Sequence, residues 1–450
     1  MADYSPVKGC IVFRPYGYRI WELIQQEMDK LIKEAGVPNA YFPLLIPYSF
    51  LEKEAKHIEG FAPEVAIVTY GGGKELEEKL VIRPTSETII YSMFSKWIHS
   101  YRDLPLRLNQ WANVVRWENR TLPFLRTTEF LWQEGHTIHA TKEDAEKEVK
   151  RALVMYEKFM NENLAIYVIP GKKTEAEKFA GANYTYSVEG LMRDGKALQC
   201  GTSHLLDQSF AKSFDIKFVD KDGKEQLPWM TSWGSSTRMI GGVILSHGDD
   251  KGLVLPPRIA PIQVVAIPIM KGNSGNQELE AYVEKIKTEL KNVRLEIDWS
   301  DNSPGWKFSQ WEMKGVPLRL EIGGKEVAEG VVSFAKRNTG EKGKIKISEI
   351  GKEVAEMLEN IQNEMFQSHK KFVEDNTHEA KDYEELKKII KEKKGFVKVK
   401  YSATKEKEDL IKYETKATAR CMPLESIEEK GSCFYDGSKD AKVTYFAKAY

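Results

Sequence analysis

The chain has 450 residues, of which 41% are hydrophobic, 11% aromatic and 30% charged, a balance that suits folded globular domains and excludes a largely disordered polymer. At roughly 150 residues per domain, that length suggests about three domains. Sixty-seven Lys and Arg against sixty-seven Asp and Glu leave a formal net charge of zero, so a nucleic-acid partner must be met by local patches. No apolar run approaches the ~18 residues of a membrane span, and residues 1–6 hold no secretory apolar region. The four cysteines, Cys10, Cys200, Cys421 and Cys433, are too scattered for a disulfide framework, and a reducing, cytoplasmic setting is expected.

In chain order, Ile20, Trp21, Ile24, Met28, Leu31 and Ile32 line one face of a helix over residues 18–35, stopped by Gly36 and Pro38. Residues 40–46 read as an edge or interface strand, because Pro43 cannot donate to a ladder. Residues 70–74 form a hairpin loop whose lysine lacks the spacing and the Ser or Thr of a phosphate-binding loop. Residues 83–88 precede a helix. Strands over 106–117 and 127–136 flank a polar loop with Asn119, Arg120 and Pro123, and residues 142–163 form a charged amphipathic helix. Residues 199–206 and 233–245 are strand or strand-to-helix segments, and residues 255–261, with three prolines, mark a domain boundary.

The pattern then alternates. Strands over 262–270, 293–297, 317–322 and 331–335, with a helix over 277–290, indicate a small α/β domain with a mixed sheet. Residues 352–374 form a long connecting helix, and a lysine-rich α+β unit follows. Residues 387–400 carry seven lysines and one glutamate, suited either to tRNA phosphates or to a solvated face.

Three constellations could carry chemistry. On adjacent antiparallel strands alternate side chains share a face, so Arg116 points with Glu118, and Phe130 with Trp132 and Glu134; Arg126 opens the second strand. Such a face offers an aromatic surface for a base, guanidinium groups for anionic oxygens and carboxylates for an ammonium. A salt-bridged sheet face is the plainer alternative. Residues 233–242 place Gly234 and small hydroxyls before Arg238, where a starting helix and an arginine could clamp a polyphosphate; a surface arginine after a glycine turn would read the same. Thr85 or Ser86 would cap the next helix and Glu87 suit its first turn. His136 and His139 fall on opposite strand faces, a poor metal pair. His204 lies beside small hydroxyls.

Together these segments resemble the three signature motifs of class II aminoacyl-tRNA synthetases. The first motif is the helix through Gly36 and the strand with Pro43, which in that family forms a dimer interface. The second is Arg116, Glu118, Arg126, Phe130 and Glu134; the third is Gly234 and Arg238. Residues 84–88, 124–137, 199–204, 247–257 and 314–322, and the terminal Tyr450, are most similar to the prolyl-specific family, in the archaeal and eukaryotic form that lacks an editing insertion between motifs 2 and 3.

The resemblance implies an α+β protein: a class II antiparallel-sheet catalytic domain over 1–260, an α/β anticodon-binding domain over 261–362 and a small α+β C-terminal domain over 363–450. It implies ATP-dependent activation of L-proline and transfer to tRNA(Pro) by a homodimer, with Mg²⁺ accompanying ATP. A non-charging paralogue that binds tRNA or proline is the rival, but such relatives lose motif arginines first, and Arg116, Arg126 and Arg238 are all present. In the family's terms Thr85 and Glu87 would hold the prolyl amine, and Arg116 the carboxylate and α-phosphate. Trp132, Glu134, Phe179, His204 and Ser236 would shape the proline pocket. Phe130 would stack on adenine beside Arg126 and Thr127, with Glu118 nearby, and Gln199, Thr202 and Arg238 would meet ribose and phosphates.

Glu321, Lys336, Arg337 and Lys342 would be the anticodon contacts. Two departures matter: the amino end starts inside a segment the family usually precedes with a helix, suggesting a trimmed or naturally short end. The C-terminal domain of this branch often holds zinc on four cysteines, whereas here Asp436 follows Cys433 where a thiolate is expected, and Cys421 matches a non-ligand position. No structural zinc is expected, and Phe434, Tyr435 and Tyr445 would order that domain instead.

Overall fold

Pro15–Glu34 forms the first helix, with Pro15 at its opening turn and Ile20, Trp21, Ile24, Met28 and Ile32 buried. Gly36 follows in the left-handed region at φ +73°, which favours glycine over any residue with a Cβ. The computed structural model describes residues 1–55, 65–269, 277–402 and 404–450. Its fold is α+β. Among the described residues no helix is long and apolar enough to cross a membrane.

The main sheet begins at one edge with Leu106–Val115 and continues through Glu129–His139, Trp229–Ser236, Ala197–Asp207, Tyr184–Leu191 and Val168–Lys172, all antiparallel. The helix Lys142–Glu162 covers one face, burying Val149, Ala152, Leu153, Tyr156 and Phe159 in the largest core cluster. The sheet does not stop there. Ala417–Pro423 pairs with Val168–Lys172 through Met422 opposite Lys172, and Ala441–Lys448, Phe396–Tyr401 and Thr377–Glu379 extend the sheet further. The C-terminal unit is thereby an extension of the sheet that carries the site. Its own core gathers Tyr401, Phe434, Phe446 and Cys433 with Tyr435 against them, while Tyr445 packs with Phe396 and Cys421 across the seam. Asp436 accepts hydrogen bonds from Lys407 and Ser438.

Between these parts lies a five-stranded mixed sheet in the order Leu295–Ile297, Val264–Pro268, Leu318–Ile322, Val331–Lys336, Lys342–Lys346. The first three strands are parallel and the last two antiparallel. Met270, the end of the expected strand, lies outside the described residues. Ile350–Asp375 is the connecting helix, and buried His369 joins it to the main sheet: Nδ1 accepts from Tyr167 N at 3.0 Å, and Nε2 donates to Leu191 O at 3.0 Å.

Two local expectations need correction. The strand expected over 40–46 is reduced to Leu45–Pro47; before it, the chain only touches the sheet edge, with Ala40 N donating to Asn109 O at 2.8 Å, because Pro43 has no N–H to continue the ladder. Neither Thr85 nor Ser86 caps the helix Glu87–Trp97: Ser86 Oγ donates to Glu134 and Thr85 Oγ1 to Glu87. Each hydroxyl turns its O–H toward a buried carboxylate, a charge-assisted bond that sets the side-chain rotamer away from the helix amides.

Candidate active site

The strand Glu129–His139 turns Phe130, Trp132, Glu134 and His136 to one side by the two-residue period, and all four line a cavity of about 250 Å³. Across the sheet, register sets Trp132 beside Ser236 and Glu134 beside Gly234, while the next strand brings Thr202 beside Gly234 and His204 beside Ser232. Gly135 is required between the site residues, since a Cβ there would lie 2.1 Å from the Trp233 indole.

Arg116 enters from the end of Leu106–Val115. Its Nε donates to Pro84 O at 2.9 Å, and its Cζ stands 5.4 Å from the ring centres of both Phe130 and Trp132. Burial lowers its pKa while Glu87, Glu134 and Glu118 oppose that, and the guanidinium stays charged. Arg238 begins the helix Arg238–His247 and fixes itself through Nε to Leu125 O at 3.0 Å. Burial lowers its pKa too, and repulsion from Arg126 and Arg116 adds to the effect. Two confined guanidinium groups facing one cavity make a place for anionic oxygens.

The same cavity has an acidic, ordered part. Glu134 is fully desolvated, which alone would raise its pKa, but His136, Ser86 and Gln110 hold it below the usual carboxylate range. Its partner His136 is pushed by burial toward neutrality, yet the hydrogen bond and charge of Glu134 hold its pKa above the ordinary value. His204 behaves oppositely: burial and the nearby His136 push its pKa down to about 3, so it is neutral. Its Nδ1 lies 2.9 Å from Thr185 Oγ1, and its ring packs 4.8 Å from that of Phe179.

Thr85, Glu87, Arg116, Phe130, Trp132 and Glu134 therefore meet Phe179, Gln199, Thr202, His204, Ser236 and Arg238 around one cavity. Glu118, Arg126 and Thr127 do not line it. The first strand ends at Val115, two residues short of the expected Trp117, so Glu118 leaves the shared face and lies 3.9 Å from Arg126 instead. Thr127 Oγ1 donates to Glu129 O at 2.7 Å. The lining also includes residues absent from the expected site: His136, Glu177 and Thr185, and the strand residues Cys200, Gly201, Ser232, Trp233 and Ser235. His136 simply continues the alternation from Phe130, a readable signal. Glu177 and Thr185 stand in a segment with no motif.

In the α/β domain, Lys336, Arg337 and Lys342 line a second cavity of about 340 Å³ with Phe308, Trp311 and Arg319. Glu321 is outside that lining and accepts from Arg319 Nη2 at 2.9 Å. Arg337 makes two hydrogen bonds to Asp249, at 2.8 and 2.6 Å.

An antiparallel sheet bearing this arginine pair, aromatic wall and carboxylate pair defines a class II aminoacyl-tRNA synthetase core. The model of the tRNA synthetase class II core domain (G, H, P, S and T) matches residues 68–247, the anticodon binding domain matches 263–357, and the prolyl-tRNA synthetase C-terminal model matches 383–450. The chain belongs to the prolyl-tRNA synthetase family. It is 52% identical to a proline–tRNA ligase of Chlorobium luteolum and 51% identical to one of Natranaerobius thermophilus, over all of this chain and 95% and 94% of those proteins. That coverage leaves no room for a long insertion in either relative. Among solved structures, it is similar to prolyl-tRNA synthetase from Cryptosporidium parvum complexed with halofuginone and AMPPNP, at 40% identity and a TM-score of 0.96 over all of this chain and 95% of that one. The same enzyme complexed with L-proline and AMP gives 39% and 0.93 over the same shares.

Proposed function

We infer that the chain joins L-proline to ATP as prolyl-adenylate, releasing diphosphate, and then transfers the prolyl group to the 3′ end of tRNA(Pro), releasing AMP. The observation that carries this reading is the convergence of Arg116 and Arg238 on a cavity that Thr85, Glu87 and Glu134 also line. The proline carboxylate oxygen bonds to the α-phosphorus as the bond to diphosphate breaks. Both reactants are anionic, and the two guanidinium groups offset their repulsion along the path. Catalysis is then positioning and charge stabilisation, and needs no protein nucleophile.

Thr85 and Glu87 are the residues for proline's secondary ammonium. Trp132, Phe179 and neutral His204 suit its apolar ring, with Glu134 and Ser236 at the rim. Phe130, whose ring faces Arg116, suits the adenine. Arg126, Thr127 and Glu118 form the adjoining segment, and Gln199, Thr202 and Arg238 serve ribose and phosphates. In the second step the terminal adenosine hydroxyl bonds to the prolyl carbonyl carbon, and AMP leaves with the mixed-anhydride oxygen. Mg²⁺ would enter with ATP as the counterion of its phosphates, a role that needs at most one or two protein carboxylates.

Lys336, Arg337 and Lys342, around a cavity that the half-buried Phe308 and Trp311 also line, suit anticodon bases, with Glu321 beside them. The three matched stretches support domain limits near 260 and 362. Exposed Tyr41, Leu45, Ile67 and Tyr70 on and beside the sheet Leu45–Pro47, Lys74–Ile82, Ala66–Gly71 support a homodimer through that face. As a tRNA-charging enzyme it would work in the cytoplasm. Proline-dependent exchange of labelled diphosphate into ATP tests the reading. Exchange is expected with L-proline alone among the amino acids at low concentration, and its absence with folded protein leaves the non-charging alternative.

A further inference from the structure

The segment 173–183, between the strands Val168–Lys172 and Tyr184–Leu191, carries Glu177 and Phe179 to the cavity. Its far end is held within the catalytic sheet. Phe179 N donates to Thr185 Oγ1 at 3.0 Å, and the same oxygen contacts His204 Nδ1, so one hydroxyl aligns the Phe179 backbone with the His204 ring. Its near end is held from elsewhere. Lys173 Nζ donates to Glu189 at 2.7 Å, and Glu189 accepts in turn from Arg420 Nε and Nη2 at 3.1 and 2.8 Å and from Ser187 Oγ at 2.8 Å. The next residue, Thr174, donates to Glu408 Oε1 at 2.8 Å. Arg420 and Glu408 both belong to the C-terminal unit, on Ala417–Pro423 and Lys405–Thr415.

This junction is dry. Glu189 is 0% exposed, Lys173 3%, Glu408 4% and Arg420 7%. Arg420 and Lys173 hold Glu189 below the ordinary carboxylate range against the effect of burial. Charges that deep bond strongly and in one geometry, which suits them to fix a position more than to add stability. The field also reaches the site, since Arg420 and Glu408 both feel Glu177 on the cavity wall.

We propose that Arg420 and Glu408 are positioning residues for proline: through Glu189, Lys173 and Thr174 the C-terminal unit clamps the segment that seats Phe179 against His204. The inference rests on the proposed proline side of the cavity. Neither residue touches substrate. The nucleotide side is built from Arg116, Phe130 and Arg238 on other elements; the clamp reaches it only indirectly, through the charge of Arg420 on Arg238 and the pairing of Gln199 with Glu189.

The test compares Thr174→Val, Glu408→Ala and Arg420→Met with the conservative pair Glu408→Gln and Arg420→Lys in diphosphate exchange. Loosening the clamp is expected to raise KM for proline by about tenfold while KM for ATP changes less than about twofold. Glu408→Gln keeps the acceptor for Thr174 and should retain wild-type KM, and Arg420→Lys should recover part of the loss because it keeps charge but not the fork. Should Arg420→Met fail to fold, Thr174→Val, nearly isosteric and outside the buried ion pairs, decides the matter alone. Parallel rises in both KM values, or no rise in folded Thr174→Val and Glu408→Ala, overturn the proposal. Amide hydrogen exchange of residues 173–183 is read alongside: faster exchange in the same variants is expected even if the wild-type chain proved inactive with proline, so failure of the clamp and failure of the enzymatic reading give different results.

Discussion

His136 Nε2 lies 2.9 Å from Glu134 Oε2 on alternate positions of one strand, both side chains buried, so the cavity wall contains an ion pair sealed from solvent. Glu134 is held below the ordinary carboxylate value of 4.5 and contributes stability that is lost as pH falls through its folded pKa. His136 is held above 6.5, and its contribution is present below 6.5 and lost as pH rises through its folded pKa. The pair therefore stabilises most between those two values. The stability gap between the wild-type chain and Glu134→Gln, measured by urea unfolding, should be about 3 kcal/mol near pH 6 and shrink on either side. A gap that stays flat from pH 6 into alkaline pH would mean that His136 is uncharged.

Arg116 is the side chain that both aromatic rings frame and three carboxylates surround. Arg116→Ala removes a charge-assisted contact to the phosphate and carboxylate oxygens as they approach. Diphosphate exchange should fall by on the order of a thousandfold, chiefly in kcat. Arg116→Lys should recover little, because an ammonium cannot reproduce the planar fork. Near-normal exchange in folded Arg116→Ala would move the chemistry to a different pair of strands.

Glu408 gives a stability test independent of activity. Burial raises its pKa from 4.5 to about 7, with Glu177 and Asp409 adding repulsion and Thr174 and Lys173 opposing. A raised carboxylate stabilises the fold below its unfolded pKa, and that contribution disappears as pH rises through about 7. Glu408→Gln mimics the protonated acid at every pH. The two proteins should be equally stable near pH 4, and the variant should gain on the order of 2 kcal/mol by about pH 8.5, read from thermal or urea unfolding. A pH-independent difference would show that Glu408 ionises as freely as a surface carboxylate.

What could be read in advance followed from short-range periodicity. Phe130, Trp132 and Glu134 were legible because a strand alternates, and His136 was within reach by the same rule, although its ring nitrogens drew attention to metal binding instead. That Glu118 lies outside the cavity lining was not legible, because the strand ends at Val115 and nothing in Arg-Trp-Glu marks that end. Lys342–Lys346 escaped notice as a strand: its alternating lysines suit an exposed edge, which carries little apolar signal. The Arg420–Glu189 pair was out of reach altogether, since 231 residues separate its members and only the sheet brings them together.

Phe130 and Phe179 sit on opposite sides of the cavity and should separate the two substrates. Phe130 stands at a right angle to Trp132, with ring centres 6.1 Å apart, and meets the Arg116 guanidinium, while Phe179 packs on His204. Base stacking on an aromatic ring contributes about 1–3 kcal/mol, so Phe130→Ala should raise KM for ATP roughly tenfold or more with little effect on KM for proline. Phe179→Ala exposes the edge of His204 and removes apolar surface from the other side, so it should raise KM for proline and leave KM for ATP near its original value. The double variant should show the two losses nearly adding, because the rings belong to separate elements. If each single variant raised both constants equally, the cavity would be one undivided site, and assigning nucleotide and imino acid to its two walls would fail.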